Sequence, residues 1–259
     1  MIVNKMTWLK NLCHIFSGNS IYYPNNEESF THNIIEKNRF EWFGHRFPDS
    51  AKHIFLRDIH KQWYLSGINS KINTPERLFE FLKKETEGYE VICVGSSAGE
   101  YAAILYGSLL EAKQVYAFSP QLELNSMLSY SSEEIDPLIF RLKDSYIRKY
   151  YDLNSFMNES TEYYYFCPIK AKWDKLEYEY ALQNNFFEKK NFQPIFFNTS
   201  THGVPFPKVA LDSIFSNPGV VKKYIGKKNN PIFFSMQLCG VYKTVKGCYL
   251  QLKNHFLQK

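Results

Sequence analysis

Residues 89–107, YEVICVGSSAGEYAAILYG, run from a short segment of β-branched and apolar side chains into an alanine-rich stretch. Two serines enclosed by Gly95 and Gly99 stand between the two parts. A buried strand that turns at once into a helix brings two backbones close together, and small residues on either side of the turn give them room. This unit is one of several. HIFLRD (53–58), QVYAFSP (114–120), EYYYFCPI (162–169) and QPIFFNTS (193–200) read as apolar strands, and SIYYP (20–24) as an early one. Between them, TPERLFEFLKKET (74–86) has Thr74 placed as N-cap and Pro75 at the first helical position, and DKLEYEYALQNNFF (174–187) reads as a further helix. A C-terminal helical region closes the chain. Apolar strands alternating with helices require a mostly parallel sheet covered on both faces, an α/β three-layer sandwich. The polar, Tyr- and Ser-rich stretch at about 121–160 interrupts the alternation and is expected to be an excursion or cap within a single domain spanning 1–259.

With 44% apolar and 22% charged residues, the composition supports one sizeable core. The 19 Tyr and 22 Phe suit either a thick core or a groove that stacks on sugar rings. Net charge is +5, with scattered Lys and Arg; VVKKYIGKKNN (220–230) is followed by further basic residues toward the C-terminus. That pattern reads as a solvated face, the alternatives being an anionic glycan, a phosphate-bearing acyl carrier or a membrane surface. No nucleic-acid-binding spacing is present, nor a His-x-x-x-His or comparable metal-ligand set. Five cysteines, an odd number without a C-x-x-C, imply free thiols in a reducing compartment, hence a cytoplasmic location. Lys10 and His14 interrupt the apolar part of MIVNKMTWLKNLCHIF, so a short amphipathic helix is expected rather than a leader. No run reaches the length of a membrane span, which leaves peripheral membrane association open.

Gly95-Ser96-Ser97-Ala98-Gly99 is a G-x-S-x-G in the strand–turn–helix setting that the motif needs. A hydroxyl held there is thrust up at a helix N-terminus, where the Ala98 N–H can stabilise an oxyanion. Ser97 is the candidate nucleophile; Ser96 lacks the flanking glycines. The bland alternative is a tight turn without chemistry. A serine nucleophile needs a base, and the base an orienting acid, in the chain order Ser, Asp or Glu, His. Of the histidines after Ser97, His202 follows a strand in TSTHGVPFP, whereas His255 lies in the terminal helix. Asp174 is the candidate acid, with helix N-capping as its alternative role. Asp136, Asp144 and Asp152 fall in the excursion, and Glu177 lies further along the helix. Arg57, Asp58, Trp63 and Tyr64 follow a strand. They form either a substrate or oxyanion-side wall, or a local ion pair and core packing.

LRDIHKQWYLSGINS (56–70), VGSSAGEYAAILYGSLL, VYAFSPQ (115–121) and THGVP together resemble a branch of the α/β-hydrolase superfamily associated with bacterial surface polysaccharides. That branch includes the capsule O-acetyltransferases and the acyltransferase-like component of the accessory secretion system. The resemblance spans roughly residues 50–205 and departs from the usual pattern at Glu100, where a second glycine is common. It implies Ser97 as nucleophile, Asp174 as acid and His202 as base. Ala98 and the loop at Arg57 and Asp58 would form the oxyanion hole, and Arg57, Trp63 and Tyr64 would contact substrate. The implied activity is O-acetylation of a glycan or glycoconjugate, with no bound cofactor and acetyl-CoA as an acyl donor substrate. Its rivals are a carbohydrate or small-molecule esterase and a catalytically silent module in glycan export.

Overall fold

In the central strands successive side chains take opposite faces of one sheet, and both faces are apolar. The computed structural model describes residues 10–257. In chain order its strands and α-helices are β1 (Lys10–Phe16), α1 (Glu27–Phe30), β2 (Ser50–Leu56), α2 (Pro75–Glu85), β3 (Tyr89–Ser96), α3 (Ala98–Leu109), β4 (Gln114–Phe118) and α4 (Pro137–Leu142). Then follow β5 (Glu162–Pro168), α5 (Lys172–Gln183), β6 (Phe192–Phe197), α6 (Leu211–Ser216), β7 (Lys228–Asn229), α7 (Pro231–Cys239) and α8 (Val241–Leu257). The strands form one seven-stranded sheet in the order β2-β1-β3-β4-β5-β6-β7. Every pairing is parallel, so all carboxyl ends share one rim.

Val91 and Cys93 of β3, Val115 and Ala117 of β4, and Tyr163 and Tyr165 of β5 face the layer formed with α2, α3 and α5. The alternating residues Ile92, Val94, Tyr116, Phe118, Tyr164 and Phe166 face α6 and α7. This period of two is what a sheet buried on both sides demands. The aromatic richness resolves largely into core. Tyr116 stacks on Tyr164 with centroids 5.0 Å apart, and Phe118 on Phe166 at 4.5 Å.

α2 starts where its sequence signals place it, with Thr74 Oγ1 accepting the Arg77 amide and Pro75 in the first turn. α3 is buried from Ala98 to Ser108, because the excursion covers the side that the sheet does not. That excursion is a string of short 3-10 helices and α4. It packs Leu122, Leu124, Ile139, Tyr151 and Leu153 into the core beside α3.

Two expectations are corrected. Residues 10–16, expected within an N-terminal amphipathic helix, form β1, an interior strand whose Leu12, Cys13, Ile15 and Phe16 are buried; residues 1–9 lie outside the described part. SIYYP is not a strand. Asn19–Ile21 is a 3-10 turn, and the chain there crosses the rim toward α1 instead of entering the sheet. The parallel sheet covered on both faces is as expected, every pairing in it being parallel. All five cysteines are free, with Cys13, Cys93 and Cys167 buried in β1, β3 and β5.

Candidate active site

The elbow at Ser97 is strained in the way its glycines permit. Ser97 sits at φ 54°, ψ −129°, a conformation that side-chain-bearing residues rarely adopt. A Cβ on Gly95 would lie 2.1 Å from the Gly99 carbonyl oxygen, and one on Gly99 would lie 2.3 Å from that of Phe16. Glycine at both positions is therefore a steric requirement of the crossing between β3, α3 and β1. The Ser97 amide donates to the Phe118 carbonyl at 3.0 Å, tying the turn to β4. Ala98 opens α3, where the first amides have no intrahelical partner.

At the same rim, Nδ1 of His202 lies 2.7 Å from Oδ2 of Asp174. Asp174 comes from the first turn of α5, just past β5, and is 1% exposed. Its rival role is excluded: the N-cap of α5 is Ala171, and Asp174 makes no capping bond. His202 comes from the loop after β6 and lies at the surface. A carboxylate on Nδ1 fixes the tautomer with the proton there and leaves Nε2 as the basic nitrogen. The other acids are engaged elsewhere. Glu177 accepts the Leu122 amide at 2.7 Å, and Asp152 accepts the Asn154 amide and the Tyr180 hydroxyl. Asp144 lies beside Lys143, and Asp136 precedes α4 in a left-handed conformation.

A residue that sequence reading missed fixes the histidine loop. Ser119, at the carboxyl end of β4, accepts the Gly203 amide through its hydroxyl at 2.7 Å and donates to the Gly203 carbonyl at 2.9 Å. Gly203 has φ +92°, which suits glycine. The sequence marked it only as part of VYAFSPQ, with no role assigned to the serine.

His202 and Ser96, the residue before Ser97, line one cavity of about 960 Å³. Its walls come from the loop at 39–45, including Arg39, Phe40 and Trp42, from residues 199–208, and from the C-terminal helices through Ile232, Cys248 and Gln251. The segment at 121–160, expected as an excursion or cap, contributes no residue to this lining.

The Arg57–Tyr64 segment is placed differently from the expected wall. β2 is the edge strand, with β1 between it and β3, and none of Arg57, Asp58, Trp63 and Tyr64 lines the cavity beside the elbow. Asp58 is buried and its carboxylate accepts the amides of His60, Gln62 and Tyr64, so its side chain organises the loop. Burial raises its pKa, against those three bonds. Arg57 lies over the Phe40 ring at 4.4 Å and donates to the Arg39 carbonyl, bracing the pocket loop from behind. Tyr64 is fully buried, donating to the Ser17 and Leu56 carbonyls, and Trp63 donates to Gln121 at 2.7 Å. The loop after β1 reaches the elbow. Gly18 packs on the Ser96 carbonyl, and its amide is held by Glu41 at 2.7 Å.

Glu100, in the first turn of α3, is wholly buried and accepts the Gln121 amide at 2.6 Å. Burial, with Glu177 and Asp174 nearby, pushes its pKa well above the usual carboxylate range. Glu100 and Glu177 thus hold the successive amides of residues 121 and 122, steadying the chain as it leaves β4.

Sheet, elbow and helical layers are those of the α/β-hydrolase fold. No family model and no curated protein sequence matches the chain. Among solved structures it is similar to the capsule O-acetyltransferase of Neisseria meningitidis serogroup A, with a TM-score of 0.51 and 13% identity over 72% of this chain and 78% of that one. A lipase/esterase from Lactobacillus plantarum matches with a TM-score of 0.42 and 11% identity, over 78% of this chain and 82% of that one. The same capsule enzyme in complex with CoA matches at 0.44 and 14%, over 72% and 79%. The likeness is one of fold.

Proposed function

We propose that this protein is a serine-nucleophile acyltransferase acting on a glycan hydroxyl, with acetyl-CoA as acyl donor. The observation that carries the reading is the 2.7 Å contact between His202 and buried Asp174, at the rim where the strained Ser97 elbow stands. With Nδ1–H donated to Asp174, Nε2 of His202 accepts the Ser97 proton as Oγ attacks the thioester carbonyl. The carbonyl oxygen gains the electron pair and is met by the Ala98 N–H at the start of α3. Collapse breaks the C–S bond, and the thiolate takes the proton from His202. In the second half, His202 removes the proton of a sugar hydroxyl, whose oxygen attacks the acyl-serine; Ser97 leaves and regains a proton.

The cavity supports the choice of substrates. Trp42 is half-buried in its wall and offers an indole to a sugar face, while Arg39 and Lys208 stand exposed at its edge, suited to phosphate or an anionic glycan. A fluorophosphonate probe tests the nucleophile: labelling at Ser97, lost in Ser97→Ala, is the expected result. Incubation with p-nitrophenyl acetate, with and without acetyl-CoA and candidate oligosaccharides, tests the acceptor. Turnover stimulated by glycan supports transfer, acceptor-independent turnover assigns an esterase, and no acylation of Ser97 assigns a silent module.

A further inference from the structure

The last fifth of the chain differs in charge from the rest. From position 208 to 259 there are nine lysines, one aspartate, and no arginine or glutamate. This stretch therefore carries more than the whole chain's net charge of +5. Its single acid, Asp212, lies 3.1 Å from His45, and no lysine of the stretch is in a salt bridge among the described residues. A field of this kind, without internal neutralisation, attracts an anionic surface.

The same segment exposes apolar side chains in a helical order. On α8, Val241, Val245 and Tyr249 recur every four residues, with Tyr242 beside them. All four are exposed, Tyr242 at 77% and Tyr249 at 63%. At 100° per residue they share one stripe, and exposed Lys246 and Lys253 border it, with Lys243 further round. Buried Thr244 and Gly247, whose Cα faces Val209, mark the opposite side, by which α8 holds to the body of the protein. The partner helix α7 adds Phe233, 66% exposed in its first turn. An apolar stripe with aromatic residues and a lysine border is the pattern of a helix that lies in a lipid headgroup region. No described helix is long and apolar enough to cross a membrane.

We infer that the α7–α8 hairpin docks the protein, peripherally, on an anionic lipid bilayer. The lysines meet acidic headgroups while the stripe on α8 and Phe233 enter the acyl boundary. The docking surface adjoins the candidate active site, because Ile232 of α7 and Cys248 and Gln251 of α8 line its cavity. A substrate presented at the bilayer would therefore enter along the same helices; this consequence alone rests on the acyl-transfer reading.

Co-sedimentation with phosphatidylcholine vesicles, with and without phosphatidylglycerol, tests the inference on the full chain. Binding is expected with phosphatidylglycerol at low salt, to weaken at high salt, and to fall at least about tenfold in a Lys243→Glu, Lys246→Glu, Lys253→Glu variant. Val245→Ser with Tyr249→Ser should remove the binding that survives high salt. These positions lie outside the cavity lining, so fluorophosphonate labelling in lipid-free solution should match wild type in each variant. Failure of docking and failure of the chemistry are thus read separately. The inference is overturned if the wild-type chain does not bind at low salt, or if the lysine reversals leave binding unchanged. It is also overturned if sedimentation analysis shows a dimer that Tyr249→Ser dissociates, which assigns the face to a second copy.

Discussion

The hydroxyl of Ser119 both accepts from the amide of Gly203 and donates to its carbonyl, joining the end of β4 to the residue after His202 across 84 positions of sequence. Bonds to the peptide groups on both sides of the Gly203 Cα fix the orientation of that residue as well as its place. Asp174 sets the imidazole from the side chain; Ser119 sets it from the backbone.

Ser119→Ala should therefore act through His202. Turnover is expected to fall about tenfold with KM little changed, since a small displacement of a catalytic group has large kinetic cost. Stability should fall by about 1–2 kcal/mol, from the loss of both bonds. Steady-state kinetics and denaturant unfolding read the two effects separately.

Asp174→Asn should keep the fold and lose the chemistry. An amide facing Nδ1 favours the wrong tautomer, so acylation by the probe should slow by about a thousandfold or more. Stopped-flow labelling of Ser97 measures this.

The backbone of Ser97 carries strain that glycine would relieve. Ser97→Gly should raise stability by about 1 kcal/mol, equivalent to about 2–4 °C in Tm for a chain of this size, while abolishing labelling. Calorimetry beside the labelling assay shows whether the hydroxyl is kept there for function at the expense of stability.

His14 is buried in β1 with neither ring nitrogen hydrogen-bonded, and burial lowers its pKa from 6.5 to about 3. The unfolded chain binds a proton there at a pH where the folded chain does not. This contribution to stability is whole above pH 6.5 and is lost as pH falls toward 3, by as much as about 4–5 kcal/mol. Urea midpoints should drop on acidification, and less steeply in His14→Gln.

Glu100 has the opposite sign. Its raised pKa means that the folded chain keeps a proton that the unfolded chain releases, so stability declines as pH rises above the ordinary glutamate value. Glu100→Gln retains an acceptor for the Gln121 amide and removes the ionisation, so its Tm should fall less than wild type as pH is raised above the ordinary glutamate value. Thermal melts across that range provide the comparison.

Local sequence determined the alternation of strands and helices, the Thr74 cap and the glycine-bounded elbow, because each depends on residues adjacent in the chain. It also set the order Ser97, Asp174, His202, with each residue just past a strand. The pairing of Asp174 with His202, rather than capping by Asp174 or use of Glu177, was decided by how β5 and β6 align their ends at one rim. The loop after β2 shows why: Arg57 and Asp58 follow a strand as expected, but strand order is not written along the chain, and β1 lies between β2 and the elbow. Residues 10–16 looked like part of an amphipathic helix because a short apolar run has no fixed period until neighbours on both sides bury it. Likewise, burial of Glu100 and Tyr64 and the clamp of Ser119 on Gly203 are relations between distant segments, and only packing in three dimensions creates them.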